Sequence, residues 1–204
     1  MLENKEKVVS VYAEANPNPE SMKLVMNVQL LPEGQSVDYP TLESAMESPL
    51  AQELFNFDYV SRVFIANNFV TITKASELEW TKLIPELRTF LKSYIEAGGP
   101  VFNEGFVAKK QAATTEGDVT ATAEDAEISK KVIDLLENYV RPAVEQDGGN
   151  ITFKSYKDGV VTVHLQGSCS GCPSATVTLK AGIENLLKRM VPEVTEVVAD
   201  GVTI

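Results

Sequence analysis

The chain has 204 residues, 44% hydrophobic and 23% charged, and 29 acids against 18 bases give it a formal net charge of −11. That composition is ordinary for a globular protein of one or two domains, and the acid excess argues against nucleic acid as a partner, since neutralising phosphates takes clustered Lys and Arg. No apolar run approaches the roughly 20 residues that span a bilayer. The opening Met1-Leu2-Glu3-Asn4-Lys5-Glu6-Lys7 lacks a secretory core and carries the acids that transit peptides avoid, so the expected location is cytoplasmic.

Taken in chain order, Val8 to Ala15 reads as a strand. Asn16-Pro17-Asn18-Pro19 is a turn or loop, because each proline fixes its own φ and restricts the residue before it. Met22 to Leu31 is expected as a second strand. Ser48-Pro49 opens a short helix over Leu50 to Phe55, with the serine as N-cap and the proline at the first helical position. Val60 to Thr73 reads as strand, turn at Asn67-Asn68, and strand. Glu79 to Ala97 carries Trp80, Leu83, Ile84, Leu87, Leu91 and Ile95 at helical spacing and stops at Gly98-Gly99.

From Gly98 to Ala126 the character changes. The later part, Gln111 to Asp125, has almost no large apolar residues and cannot bury enough surface to offset the entropy of ordering. It is expected to be a flexible acidic linker with a reach of roughly 30 Å. Phe102, Phe106 and Val107 are the exceptions, suited to dock on the first domain. The expected organisation is α+β in two small domains, residues 1–97 and 127–204, joined by the linker 98–126.

In the second domain Ile128, Val132, Leu135, Leu136, Tyr139, Val140 and Val144 form one apolar stripe, which Arg141-Pro142 should bend or interrupt. Asp147-Gly148-Gly149 ends it. Ile151 to Ser155 and Val160 to Leu165 form a hairpin around Lys157-Asp158-Gly159. Pro173 begins a second helix with Leu179, Ile183, Leu186, Leu187 and Met190 inward, and Val194 to Val198 is a third strand. The order α-β-β-α-β implies helices on one face of a three-stranded sheet.

The two cysteines of the chain lie between the hairpin and that helix, in Gly167-Ser168-Cys169-Ser170-Gly171-Cys172-Pro173. Gly167 and Gly171 permit turns that a side chain would block. The helix start at Pro173 should favour thiolate over thiol, and Ser168, Ser170 and Ser174 offer small donors to bound sulfur. A tetrahedral metal site or an iron–sulfur cluster takes four ligands, and one chain supplies two. A second copy, a partner or a small thiol would have to complete the sphere. A dithiol redox pair, a zinc-bridged dimer and two small core-like residues without chemistry are the other readings of a C-x-x-C. Against the redox pair, the single Trp80 lies in the other domain and the β-β-loop-α order lacks a βαβ frame.

The residues around the loop carry a resemblance. Arg141-Pro142-Ala143-Val144-Glu145-Gln146-Asp147-Gly148-Gly149, Gly159-Val160-Val161-Thr162-Val163, Gly167 through Ser174, and Thr178-Leu179-Lys180-Ala181-Gly182-Ile183-Glu184 closely resemble the C-terminal domain of the NifU-like (Nfu) iron–sulfur scaffold and carrier family. Asn16 through Lys23, Ser48-Pro49-Leu50-Ala51, and Val70-Thr71-Ile72-Thr73-Lys74 before Glu79-Trp80 resemble its N-terminal domain. Asn150 departs from the pattern, standing where the family often has an acid.

The resemblance implies a carrier rather than an enzyme. It would hold an iron–sulfur cluster, usually [4Fe–4S] with [2Fe–2S] as the other form, between the Cys169 and Cys172 pairs of a homodimer, and deliver it to apo-proteins after receiving it from an upstream donor. No membrane partner is expected.

Other candidates read more plainly. His164, the only histidine, falls on the strand face opposite Val161, Val163 and Leu165, a solvated position rather than a third ligand. Lys180 reads as an exposed helix lysine before a cluster-stabilising one, and Glu79-Trp80 as a helix start with an apolar anchor. Asn16 to Pro19 forms a rigid loop, shaped either for a strand connection or for recognition at low entropic cost.

Overall fold

The computed structural model describes residues 8–75, 77–107, 123–170 and 173–200. The chain divides into two compact units, Met1–Ala108 and Lys109–Ile204, and no described helix is long and apolar enough to cross a membrane.

In the first unit β1 (Val11–Ala15), β2 (Ser21–Met26), β3 (Ser36–Tyr39), β4 (Val60–Ala66) and β5 (Phe69–Lys74) form an antiparallel sheet in the order β1-β2-β5-β4-β3. The helices α1 (Pro49–Phe55) and α2 (Trp80–Glu96) share its core. Leu50, Leu54, Leu83, Leu87 and Leu91 are buried with Leu24, Val63, Ile65, Val70 and Ile72. β2 is shorter than its apolar run suggests, because Asn27 turns back: its amide donates to the Val8 carbonyl and accepts from the Ser10 N–H. The four-residue β3 carries too little pattern of its own to be read from sequence. It exists by pairing Ser36 to Tyr39 against Ala66 to Val63.

Ser48 caps α1 by accepting from the Ala51 N–H at 3.1 Å, and donates its hydroxyl to the Val101 carbonyl at 2.7 Å. Asn103 adds bonds to the Glu47 and Met46 carbonyls. Phe102 and Phe106 stack at 4.2 Å and pack on the first core. Val107 does not join them and is 82% exposed. Residues 101–106 therefore belong to the first unit, beyond Gly98, which ends α2 at a φ of 75°. Of the expected linker, residues 108–122 lie outside the described residues.

In the second unit α3 (Ala123–Leu135) runs into a wide turn over Leu136–Val140 and then α4 (Arg141–Gln146). Pro142 has no N–H, and its ring would clash with the carbonyl four residues back. The chain takes up one extra residue instead, the Arg141 N–H reaching the Leu136 carbonyl. Val132, Leu136, Val140 and Val144 stay buried at four-residue spacing while Tyr139 is turned outward, 66% exposed, contrary to its place in the expected stripe.

β6 (Gly149–Lys157), β7 (Val160–Gly167) and β8 (Glu196–Asp200) follow, β6 antiparallel and β8 parallel to β7, with α5 (Pro173–Met190) as the crossover. Asp158 and Gly159, at φ of 50° and 83°, make the tight turn that the sequence announces. On α5, Ile183 and Leu187 face the core with Leu179 and Leu186 at its margin. Met190 is outward and 55% exposed, since Val191, four residues after Leu187, takes the inward place. The result is the expected α+β architecture.

Ser48→Ala removes the α1 cap and leaves the Val101 carbonyl unpaired. The first unit should lose about 1–3 kcal/mol, read from the midpoint of its denaturant transition in the full chain.

Candidate functional site around Cys169

β7 delivers Cys169. The strand ends at Gly167, whose φ of 63° turns the chain off the sheet, and the next residues fold back over the end of α4. The Ser168 N–H donates to the Gly148 carbonyl at 3.2 Å and its hydroxyl to the Asp147 carbonyl at 2.5 Å. Ser170 closes the loop on itself, donating both N–H and hydroxyl to the Gly167 carbonyl at 3.2 and 2.8 Å. Both serine hydroxyls are thus engaged with backbone oxygens. The Ser168 oxygen also lies 3.8 Å from the Cys169 sulfur. The side chain of Ser174, together with Gly171 and Cys172, lies outside the described residues.

The Asp147-Gly148-Gly149 turn does more than end a helix. Gly148, at a φ of 79°, aims the chain into β6. Gly149 pairs with Gly167 across the ladder, and a methyl group on it would stand 2.8 Å from Cys169 Sγ and 2.7 Å from the Gln166 carbonyl oxygen. No side chain fits there unless the loop moves. Sequence reading missed this role; the Gly-Gly pair was its only signal, and a helix stop explains that signal equally well.

Cys169 itself is buried at 7% exposure and belongs to the core with Val144, Ile151 and Leu165. Burial pushes its thiol up to about 11, reinforced by the nearby Asp147 carboxylate and opposed by the Ser168 hydrogen bond. The expectation of a favoured thiolate is therefore corrected at Cys169. The field of a helix start falls off within a turn, Cys169 stands four residues before Pro173, and desolvation outweighs what remains. A metal ligand must be deprotonated, so a metal bound at this sulfur would carry proton release with it.

Next to the loop, Asn150 and Gln166 face each other in register, both nearly fully buried. Gln166 Oε1 has no hydrogen-bond partner among the described residues. His164 is half-buried in β7 on the face away from the helices, opposite Thr152 and Asp200. Lys180 pairs with Glu196 at 3.8 Å. Among the described residues no three His, Cys, Asp or Glu side chains converge on a metal site.

In the first unit the Asn16–Pro19 loop is built from within: Asn16 and Asn18 side chains accept the N–H groups of Asn18 and Glu20. The Trp80 indole N–H donates to the Pro19 carbonyl at 2.9 Å. Trp80 is thus a clamp on this loop as well as an apolar anchor.

Comparison with known proteins matches residues 132–198 to the NifU-like domain and residues 11–98 to the N-terminal domain of the scaffold protein Nfu/NifU. A mitochondrial NFU1 iron–sulfur cluster scaffold homolog of Drosophila willistoni is 36% identical over 97% of this chain and 65% of its own length. That of Drosophila persimilis is 37% identical over 92% of this chain and 64% of its own. The chain thus spans about two thirds of the length of these relatives. A solution structure of a NifU-like protein from Saccharomyces cerevisiae is 21% identical, covering 50% of this chain and 90% of that one, with a TM-score of 0.43.

The cytoplasmic expectation is overturned by the mitochondrial description of these relatives. It rested on the character of seven residues, which cannot set an address for a chain that spans only part of its relatives' length.

Two measurements probe the site. Gly149→Ala should cost about 1–3 kcal/mol of overpacking in the second unit and raise the alkylation rate of Cys169. In a Cys172→Ser background, alkylation of Cys169 should climb about tenfold per pH unit from pH 7 to 10, because the thiol titrates near 11; a plateau near pH 9 would contradict the burial. With both unit models matched in order along one chain, the protein belongs to the Nfu family of NifU-like proteins.

Proposed function

We propose that the chain is an iron–sulfur cluster scaffold and carrier, with the cluster as cargo rather than as a resident cofactor. The observation that carries this reading is the Cys169 loop, closed over a turn whose Gly149 leaves room for the sulfur and no more, in a domain of NifU-like type. The scaffold description of its relatives supports it. Cys169 and Cys172 are the ligands on this reading, and since one chain supplies two thiolates, two chains share a cluster, [4Fe–4S] before [2Fe–2S].

Delivery is then ligand exchange without net redox. A client cysteine loses its proton and binds iron, and a carrier sulfur leaves and is reprotonated. Re-burial of Cys169, whose protonated form the closed loop favours, would help to drive that exchange towards release. The first unit recognises donors or clients, and the segment joining the two units sets the effective concentration at which a docked client meets the cluster.

Anaerobic reconstitution with iron and sulfide tests this. The loaded protein should be dimeric, with iron and sulfide bound together, and Mössbauer spectra should give the cluster type. Cys172→Ser should abolish stable loading, and full loading of that variant would remove the ligand assignment. A protein that instead cycles a disulfide and reduces model substrates would be a dithiol redox protein. Deleting residues 1–97 should preserve loading and slow transfer to apo-clients; equal transfer rates would remove the docking role.

A further inference from the structure

Cys169 occupies a place with room for its sulfur and little more. The residue is 7% exposed, its core neighbours include Val144, Ile151 and Leu165, and a single carbon added to Gly149 would stand 2.8 Å from Sγ. A metal ion bonded to a thiolate stands about 2.3 Å from the sulfur and brings further ligands with it. It needs an open side that this place does not have. We infer that the loop from Gly167 to Ser170 is a gate held shut by Ser168, and that it swings off the end of α4 before Cys169 is reached from outside.

The hydrogen bonds separate a moving part from a catch. Ser170 donates its N–H and its hydroxyl to the Gly167 carbonyl, at 3.2 and 2.8 Å. Those bonds begin and end within the loop, so they hold its shape whether it is shut or open. Ser168 instead bonds across to the end of α4, its N–H to the Gly148 carbonyl at 3.2 Å and its hydroxyl to the Asp147 carbonyl at 2.5 Å. Opening exchanges these two bonds for bonds to water, at a net cost of about 1 kcal/mol each. In the sequence a glycine stands at either end of the loop, Gly167 and Gly171, and Gly167 already holds a φ of 63°. Glycine absorbs a change of backbone direction more cheaply than any other residue. Two bonds and one packed sulfur set against glycine hinges describe a local opening, well below the cost of unfolding the unit.

The part this gate plays in loading rests on the carrier reading, whereas its existence rests on the loop alone. In a carrier it would separate two states of one site, shut and empty or open and able to take cargo. Ser168 is then a positioning residue: its bonds to α4 set how often the sulfur is presented.

The test uses the full chain with Cys172→Ser, which leaves one thiol. At pH 7, alkylation by iodoacetamide and by the much bulkier 5-iodoacetamidofluorescein is compared with that of the same chain unfolded in guanidinium. Both reagents should be slowed by the same factor, because each reacts with the open form. The Ser168 amide should show matching protection from hydrogen exchange, within about threefold, while the Val163 amide in the middle of β7 is protected at least tenfold more. Ser168→Ala should raise the alkylation rate about fivefold, and Ser170→Ala less than twofold.

A bulky reagent slowed tenfold more than the small one would overturn the inference, since a cleft would then already lead to the sulfur. So would a Ser168 amide as protected as that of Val163, which would mean that only unfolding of the unit exposes Cys169, or an equal response to the two serine substitutions. Should Ser168→Ala fail to fold, the reagent and amide comparisons on the parent chain still decide. All of these are read on the empty protein, so failure of the gate is distinct from failure of the carrier reading, which iron and sulfide binding decides.

Discussion

The contact between Gly149 and Cys169 governs the second unit's chemistry. The sulfur of Cys169, on a loop after a strand, packs against a backbone without a side chain. The same turn that provides the space also provides the anchors, since the Gly148 and Asp147 carbonyls take both hydrogen-bonding groups of Ser168. The end of α4 and the end of β7 are therefore one structural element. The position of α4 in turn depends on the wide turn that absorbs Pro142 while keeping Val140 and Val144 in the core. A helix distortion over Leu136–Val140, upstream of Gly149, thus bears on where the sulfur lies.

Burial at this place sets two demands against each other. The apolar environment that fixes Cys169 raises the cost of its ionised form, whereas the iron ligation proposed for it would require that form. A protein that retained a metal permanently would gain from exposing the thiolate. One that holds a cargo and releases it gains from a site whose empty state is stable by itself, and the closed loop has that property: its serines are bonded and its sulfur is packed.

The first unit is organised around a different device, polar side chains that close backbone ends over long sequence distances. Ser48 joins α1 to residue 101, Trp80 joins α2 to the proline loop, and Arg88 and Glu96 reach the outer strand. Each bond is worth little alone, about 1 kcal/mol. Together they fix loops and the backbone beside the core valines Val9 and Val11.

Features whose cause lies within a few residues were legible in the sequence alone. The Ser48-Pro49 helix start, the Asp158-Gly159 turn, the four-residue recurrence from Val132 to Val144, and the two-cysteine loop between a strand and a helix are all of this kind, because capping, positive φ and helical period are local constraints. Tertiary structure alone decided that Gly149 lies under Cys169, that the thiol is buried rather than exposed to the field of α5, that Tyr139 and Met190 face outward, and that Ser36 to Tyr39 is a strand. Desolvation, close approach and strand pairing depend on residues distant in the chain, and no spacing along the sequence encodes which of them will meet.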